Sequence, residues 1–268
     1  MQTSFHINIA LLAAQVAAIL FAIFYPLALA IIARRRLGVG WRYFGYGALI
    51  FFLFQIISRL PLIQGVQYLI GPQLQASRAL LIAWLSVAAV TAGLFEEIGR
   101  YVGYRWLMRG EEKTWPKAVM YGIGHGGLES MLLVGGLMII GLINMIVLPN
   151  IPLDTLPAAQ RAQVQAQIAA LQNQPAWLPL LGAWERLWTL PIQIAFSVIV
   201  LQVFRRGSLR WLWLAILAHT LVNLTIIVPA LANMQGLRAT VIVEALVTLC
   251  GLAALWVIWR LRDHETSS

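Results

Sequence analysis

Long apolar stretches alternate with short polar segments along the whole chain. A helix needs about 20 predominantly apolar residues to cross a bilayer, and seven stretches reach this length. They cover residues 7–33, 41–63, 79–108, 117–148, 178–204, 209–231 and 239–258. Arg59 and Pro61 interrupt the second stretch, so we expect it to end early, with Arg59 in the following loop. The pattern predicts an all-α, polytopic membrane protein with seven transmembrane helices, folded as a single domain over residues 1–268.

The composition and the placement of charge support this prediction. The 268 residues are 60% hydrophobic and 11% charged, whereas a soluble domain is about 25% charged. Of the 19 basic residues, 13 lie in the segments that follow predicted helices one, three, five and seven. The positive-inside rule then places the N-terminus outside and the C-terminus in the cytoplasm, as expected in a bacterial plasma membrane. Because topology accounts for the net charge of +9, we predict no nucleic-acid partner.

The longest polar segment, residues 149–177, joins predicted helices four and five and lies outside in this topology. Thr155 and Pro157 are typical of a helix start. Val164, Ile168 and Leu171 follow as a narrow apolar stripe among alanine and glutamine. This spacing predicts an external amphipathic helix that lies at the membrane interface.

Charged and titratable residues occur inside the predicted membrane helices. They are Glu96, Glu97, Arg100, His125, Glu129, Glu185, Arg186, His219 and Glu244. A charged side chain at mid-membrane costs at least about 2.5 kcal/mol, so such residues normally face a protein interior and mark functional sites. The carboxylates outnumber the arginines, so structural ion pairs alone account for them poorly. We therefore predict a functional site within the membrane.

Spacing of four residues places several of these side chains on common helix faces. The sets are Glu96 with Arg100, Tyr121 with His125 and Glu129, and His219 with Asn223. Their depth in the predicted helices is similar, at about 1.5 Å of rise per residue. We expect them to meet in one water-filled cavity that opens towards the cytoplasm, with Glu185 reaching it from the outer side.

Paired glutamates beside histidines favour hydrolytic chemistry. A carboxylate can take a proton from water and return it to a leaving group, and histidine and asparagine donors can stabilise an oxyanion. Other intramembrane hydrolases are excluded, because the chain lacks the His-Glu-x-x-His sequence of zinc proteases and the Gly-x-Ser-Gly of rhomboids. Its two aspartates, Asp154 and Asp263, lie in a loop and the C-terminal tail rather than in predicted helices. A glutamate-based site or a non-catalytic site remains.

Four segments, in this order on four predicted helices, resemble the YhfC family of glutamic-type intramembrane proteases. They are FEEIGRY at 95–101, GIGHGGLE at 122–129, ER at 185–186 and AHTLVN at 218–223. That family is grouped with the PrsW proteases and with the CPBP family, which includes the CAAX prenyl endopeptidase. The resemblance implies that Glu96 activates water and that Glu97 and Arg100 orient and balance it. It also implies that His219 and Asn223 form an oxyanion site.

Tyr121 and His125 resemble the Phe-x-x-x-His motif of the prenyl endopeptidase, which implies that His125 assists the water. Glu129 and Glu185 are supporting residues in this comparison. Two departures are present. The glutamate pair is followed by arginine after two residues rather than three, and Gln193 stands where a histidine is expected in YhfC relatives.

We therefore predict a peptidase that acts on a membrane protein or peptide and needs no cofactor. One alternative is a zinc-dependent membrane hydrolase, with ligands among Glu96, His125, Glu129 and His219. A second is a proton-coupled transporter, because glutamate and histidine chains also relay protons, although the chain shows no inverted repeat. A third is a non-catalytic protein for membrane-peptide binding or immunity, which could use the same pocket.

Overall fold

The computed structural model describes residues 8–232 and 234–262, and regular structure in these ranges is helical throughout. The α-helices are α1 (Ile9–Leu37), α2 (Trp41–Phe51), α3 (Leu60–Ala76), α4 (Arg78–Trp106), α5 (Trp115–Glu129), α6 (Gly136–Val147), α7 (Ala158–Asn173), α8 (Leu180–Arg206), α9 (Arg210–Leu224), α10 (Ile227–Leu231) and α11 (Gly236–Arg260). Two π-helical segments, Phe52–Arg59 and Ser130–Gly135, join α2 to α3 and α5 to α6 without a break. The all-α prediction is confirmed.

Six helices in the described part of the chain are long and apolar enough to cross a membrane. They are Ile9–Leu37, Trp41–Ala76, Arg78–Trp106, Trp115–Asn150, Leu180–Arg206 and Gly236–Arg260. The predicted helix at 209–231 differs, because α9 ends at Leu224 and a turn separates it from the short α10. With 15 residues, α9 is shorter than the roughly 20 that a helix needs to cross the bilayer. The polytopic fold is confirmed, with six full-length helices and one shorter, broken helix.

The expectation that the second membrane helix ends early is wrong. The helix continues to Ala76, because the π-helical segment that ends at Arg59 leads directly into α3, and local π-helical adjustment allows a membrane helix to contain a proline such as Pro61. Arg59 therefore lies inside a continuous helix rather than in a loop, and it is only 7% exposed. The loops that were predicted to lie outside thus contain one basic residue fewer than expected.

Glycine allows a close contact between the backbones of α2 and α5. A Cβ atom at Gly47 would lie 1.9 Å from the backbone oxygen of Tyr121, and one at Gly124 would lie 2.0 Å from that of Phe44. Small residues allow membrane helices to pack backbone to backbone in this way. The contact fixes the position of α5 and therefore of His125.

The predicted loop helix is present as α7. Val164, Ile168 and Leu171 are half-buried on one face, and most of the other side chains of the helix are exposed. We call the end of the bundle that carries α7 and Arg78 the loop-helix end. The opposite end carries residues 34–36 and 205–206, and we call it the arginine-rich end.

Candidate active site

Four helices bring polar side chains together in the interior of the bundle. Six side chains, each at most 7% exposed, form this cluster: Glu96, Glu97 and Arg100 on α4, His125 on α5, Gln193 on α8 and His219 on α9. Spacing of three and four residues on α4 sets its three members on one face. The described structure thus places five predicted site residues side by side.

The carboxylate of Glu96 has a single hydrogen-bond partner in the described structure. His125 Nε2 lies 2.9 Å from Glu96 Oε2. Two further nitrogens approach the same oxygen without bonding to it: Arg100 Nη2 at 3.8 Å and His219 Nε2 at 3.9 Å. Glu96 therefore keeps capacity to accept a hydrogen bond from water or substrate.

The neighbouring carboxylate of Glu97 is held more firmly. Its Oε1 accepts a hydrogen bond from Arg100 Nη1 and lies 2.6 Å from His219 Nδ1. Because an ionised carboxylate can only accept, Nδ1 is the donor and carries a proton. The ring of Phe196 stacks on His219 at 4.6 Å between centroids. The two adjacent glutamates are therefore unequal, with Glu97 paired and Glu96 available.

Gln193 joins this cluster to a second group of charges. Its Oε1 accepts from Arg100 Nη2, and its Nε2 donates to Glu129 Oε2 at 2.7 Å. Glu129 Oε1 lies 3.1 Å from Arg186 Nη1, and Arg186 Nη2 donates to Glu185 Oε1 at 2.5 Å. Among the described residues, Glu129 and Glu185 thus connect to the cluster through this chain of hydrogen bonds. Gln193 departs from the family pattern in the sequence, but its bridging position was not predicted, although Gln193 lies seven residues after Arg186 on one face of α8.

Two predicted residues lie beside the cluster without bonding to it. Tyr121 is fully buried and stacks on Tyr104 at 4.9 Å between centroids. Its hydroxyl has no hydrogen-bond partner among the described residues. Asn223 is half-buried one turn beyond His219. The structure therefore places both near the site but assigns neither a contact with Glu96.

In residues 8–232 and 234–262, closely packed side chains lie between the cluster and the arginine-rich end, where the sequence predicted an open cavity. The side chains of Tyr104, Met108, Met120 and Tyr121, all 0% exposed, pack between the cluster and the arginine-rich end. Glu97, Arg100 and His125 have no exposed surface either. The sequence could not reveal this closure, because apolar side chains of this kind fill a cavity wall and a core equally well.

The donor atoms suit a zinc ion chemically. Two imidazole Nε2 atoms, of His125 and His219, face the same oxygen of Glu96, and two histidines with one glutamate form a known catalytic zinc set. Glu97 on His219 Nδ1 resembles the carboxylate that orients a zinc-bound histidine. In residues 8–232 and 234–262, no three histidine, cysteine, aspartate or glutamate side chains are positioned so that they could hold a metal ion without moving. Glu129, the fourth predicted ligand, is held away by its other partners.

Comparison with known proteins now gives a family. The family model "YhfC intramembrane metalloprotease" matches residues 17–247, which include every candidate site residue. An "Uncharacterized membrane protein YhfC" from Bacillus subtilis (strain 168) is 30% identical over 247 residues, or 89% of this chain and 90% of that protein. No solved structure matches the chain significantly. The family resemblance predicted from the sequence is confirmed: the chain belongs to the YhfC intramembrane metalloprotease family.

Proposed function

We propose that this protein is an intramembrane peptidase in which Glu96 activates water for attack on a peptide bond of a membrane-associated substrate. The unequal pairing of the two adjacent glutamates supports this proposal. Arg100 and His219 both bond to Glu97, which leaves Glu96 with the single partner His125. A general base needs such a free acceptor in a fixed position.

In this proposal Glu96 accepts a proton from water as the oxygen attacks the substrate carbonyl. The negative charge that develops on the carbonyl oxygen is stabilised by donors on α9, for which His219 Nε2 and the amide of Asn223 are the candidates. Because Nδ1 carries the proton that it donates to Glu97, Nε2 can donate as well only when His219 is a doubly protonated imidazolium, and the carboxylate of Glu97 stabilises that charge. Glu96 then returns its proton to the leaving amine, which closes the cycle.

A metal-dependent version uses the same residues, and the family description favours it. Glu96, His125 and His219 would hold the ion, by the donor chemistry described above. When bound, zinc would polarise the carbonyl and lower the pKa of water. Arg100 and Glu97 would keep their roles, because they position His219 and balance charge in either version.

The orientation in the membrane is part of the proposal. By the positive-inside rule the arginine-rich end would face the cytoplasm and α7 would lie outside. A reporter fused after Ser268 tests this, because it should be active only if it folds in the cytoplasm. Activity confined to the outside would contradict the orientation.

The peptidase proposal is tested with purified protein and a library of membrane-segment peptides, with products read by mass spectrometry. Glu96→Gln keeps shape and removes the base, so turnover should fall by about 10²–10⁴-fold or more. Glu112→Gln makes the same change at an exposed carboxylate and should leave turnover unchanged. Full activity of Glu96→Gln on a confirmed substrate would refute the role of Glu96.

Metal analysis of the same preparations separates the two versions. If Glu96 acts without an ion, zinc should be well below one per chain, and a chelator should leave turnover intact. One zinc per chain that is lost in His125→Ala and in His219→Ala would establish the metal-dependent version. Peptide cleavage by the wild type is expected under both versions.

A further inference from the structure

Arg59 differs from the other two fully or nearly buried arginines in the membrane helices. Arg100 pairs with Glu97, and Arg186 pairs with Glu129 and Glu185. Arg59 is 7% exposed and has no carboxylate within salt-bridge distance among the described residues. Burial of an unpaired charge in a membrane is costly, so such a group usually serves a ligand or a partner.

Three neutral acceptors orient the Arg59 guanidinium. Nε donates to Thr91 Oγ1 at 3.2 Å, Nη1 to Gln55 Oε1 at 3.2 Å and Nη2 to the backbone oxygen of Ala88 at 2.6 Å. These bonds fasten the second membrane helix to α4, and a neutral side chain could do the same. They leave N–H groups on Nη1 and Nη2 free, since a guanidinium has five. The positive charge is therefore available for an anion.

The side chains around Arg59 lead towards Glu96. On the same helix, Phe51 packs edge-on against His125 at 5.1 Å between centroids, and Gln55 and Arg59 follow at intervals of four residues. This stretch is π-helical from Phe52 onwards, and such segments occur frequently at functional sites. Arg59 also lies within electrostatic range of Glu96.

A polar cleft lies farther along the same helix than Arg59 and begins at Gln64. A cavity of about 770 Å³ separates α3 from the start of α4 at the loop-helix end. It is lined by Gln64, Gln67, Tyr68, Gly71, Leu74, Gln75, Arg78 and Leu81. Gln64 is five residues beyond Arg59, which is about 7.5 Å of helix rise. Glutamine side chains both donate and accept hydrogen bonds, as an extended peptide backbone requires.

We infer that this cleft binds the substrate as an extended peptide and that Arg59 pairs with an aspartate or glutamate side chain of it. The inference rests on the proposed peptidase function. Thr91, which bonds to Arg59, precedes Glu96 by five residues, or about 7.5 Å along α4. An extended chain advances about 3.3 Å per residue. The acidic residue therefore lies about two residues from the bond that is cleaved, and the chain beyond it occupies the glutamine-lined cavity.

The test compares paired peptides that differ only by aspartate or asparagine at one position, scanned along an apolar sequence. Binding is measured in the Glu96→Gln background, so that turnover does not interfere. We expect the aspartate peptide to bind about tenfold more tightly when the acidic residue is about two residues from the cleaved bond. Arg59→Gln should abolish the preference for the aspartate peptide over the asparagine peptide, and Arg59→Lys should keep part of it. The control is Arg161→Gln, at a half-buried arginine near the start of α7, which should not change the preference.

The outcomes separate this inference from the proposed function. Because each ratio is measured within one protein variant, a general loss of folding affects both peptides equally. Equal binding of the two peptides to the Glu96→Gln protein would overturn the inference, even if the wild type cleaves both. A preference that follows a free C-terminal carboxylate, and not the scanned aspartate, would also overturn it. A clear aspartate preference without any cleavage by the wild type would instead refute the peptidase and leave the binding site standing.

Discussion

Replacement of Gln193 by leucine should destabilise the protein strongly, because one amide bonds to two charged groups, of which Arg100 is fully buried and Glu129 is half-buried. Leucine has a similar volume, but it leaves Arg100 Nη2 and Glu129 Oε2 without the partners described above. A hydrogen bond to a charged group contributes about 1.5–3 kcal/mol, so loss of both predicts about 3–6 kcal/mol. An ordinary interhelical hydrogen bond in a membrane averages only about 0.6 kcal/mol.

Gln202→Leu is the matched control on the same helix. Gln202 is also buried, but the hydrogen bonds of its side chain in the described structure join Val198 and Arg206, both on α8 itself. Its loss should cost below about 1 kcal/mol, since no second helix depends on it. The assay is the free energy of unfolding of both variants in the same detergent. If Gln193→Leu cost no more than Gln202→Leu, the bridging role of Gln193 would be refuted.

Two further variants test the helix packing and the loop between α4 and α5. Gly124→Ala should destabilise by about 1–3 kcal/mol or more, because its Cβ would meet the backbone of Phe44, whereas Gly45→Ala has open space and should be nearly neutral in the same unfolding assay. The Tyr43 hydroxyl donates a hydrogen bond to Glu111 Oε2 at 2.5 Å. This bond and nearby positive charges lower the pKa of Glu111. The ionised residue therefore stabilises the fold above about pH 4.3, and this contribution is lost as the pH falls further. Glu111→Gln should flatten this part of the stability–pH curve, and an unchanged curve would contradict the assignment.

The helices were predictable because apolar length alone signals a membrane helix. The third predicted helix, 79–108, matches Arg78–Trp106 within two residues at either end. The convergence of Glu96, His125 and His219 was expected for a related reason, since buried charge must face the interior. Spacing along each helix then determined which side chains could meet.

The parts that the sequence did not predict depend on neutral partners. In the sequence, Arg59 resembles a helix interruption, because hydropathy contains no information on hydrogen-bond partners. Gln55, one turn earlier, and Thr91, on α4, accept hydrogen bonds from Arg59 in the folded protein. Gln193 is uncharged and therefore does not stand out within an apolar helix. Only the three-dimensional arrangement shows that its amide has a guanidinium on one side and a carboxylate on the other.

The order of the ion pairs along the chain has a consequence for biogenesis. Glu97 and Arg100 lie on one helix, three residues apart, so this pair can form while α4 is still alone in the translocon. Glu129 has no such neighbour, and its partner Arg186 is made 57 residues later. The helix Trp115–Asn150 must therefore enter the lipid with an unpaired carboxylate. An 18-residue stretch of this helix has a mean hydropathy of 2.6, which offsets an insertion cost of about 2.5–3.5 kcal/mol. Truncation before α8 should therefore leave this helix inserted in the bilayer, because its insertion does not depend on Arg186.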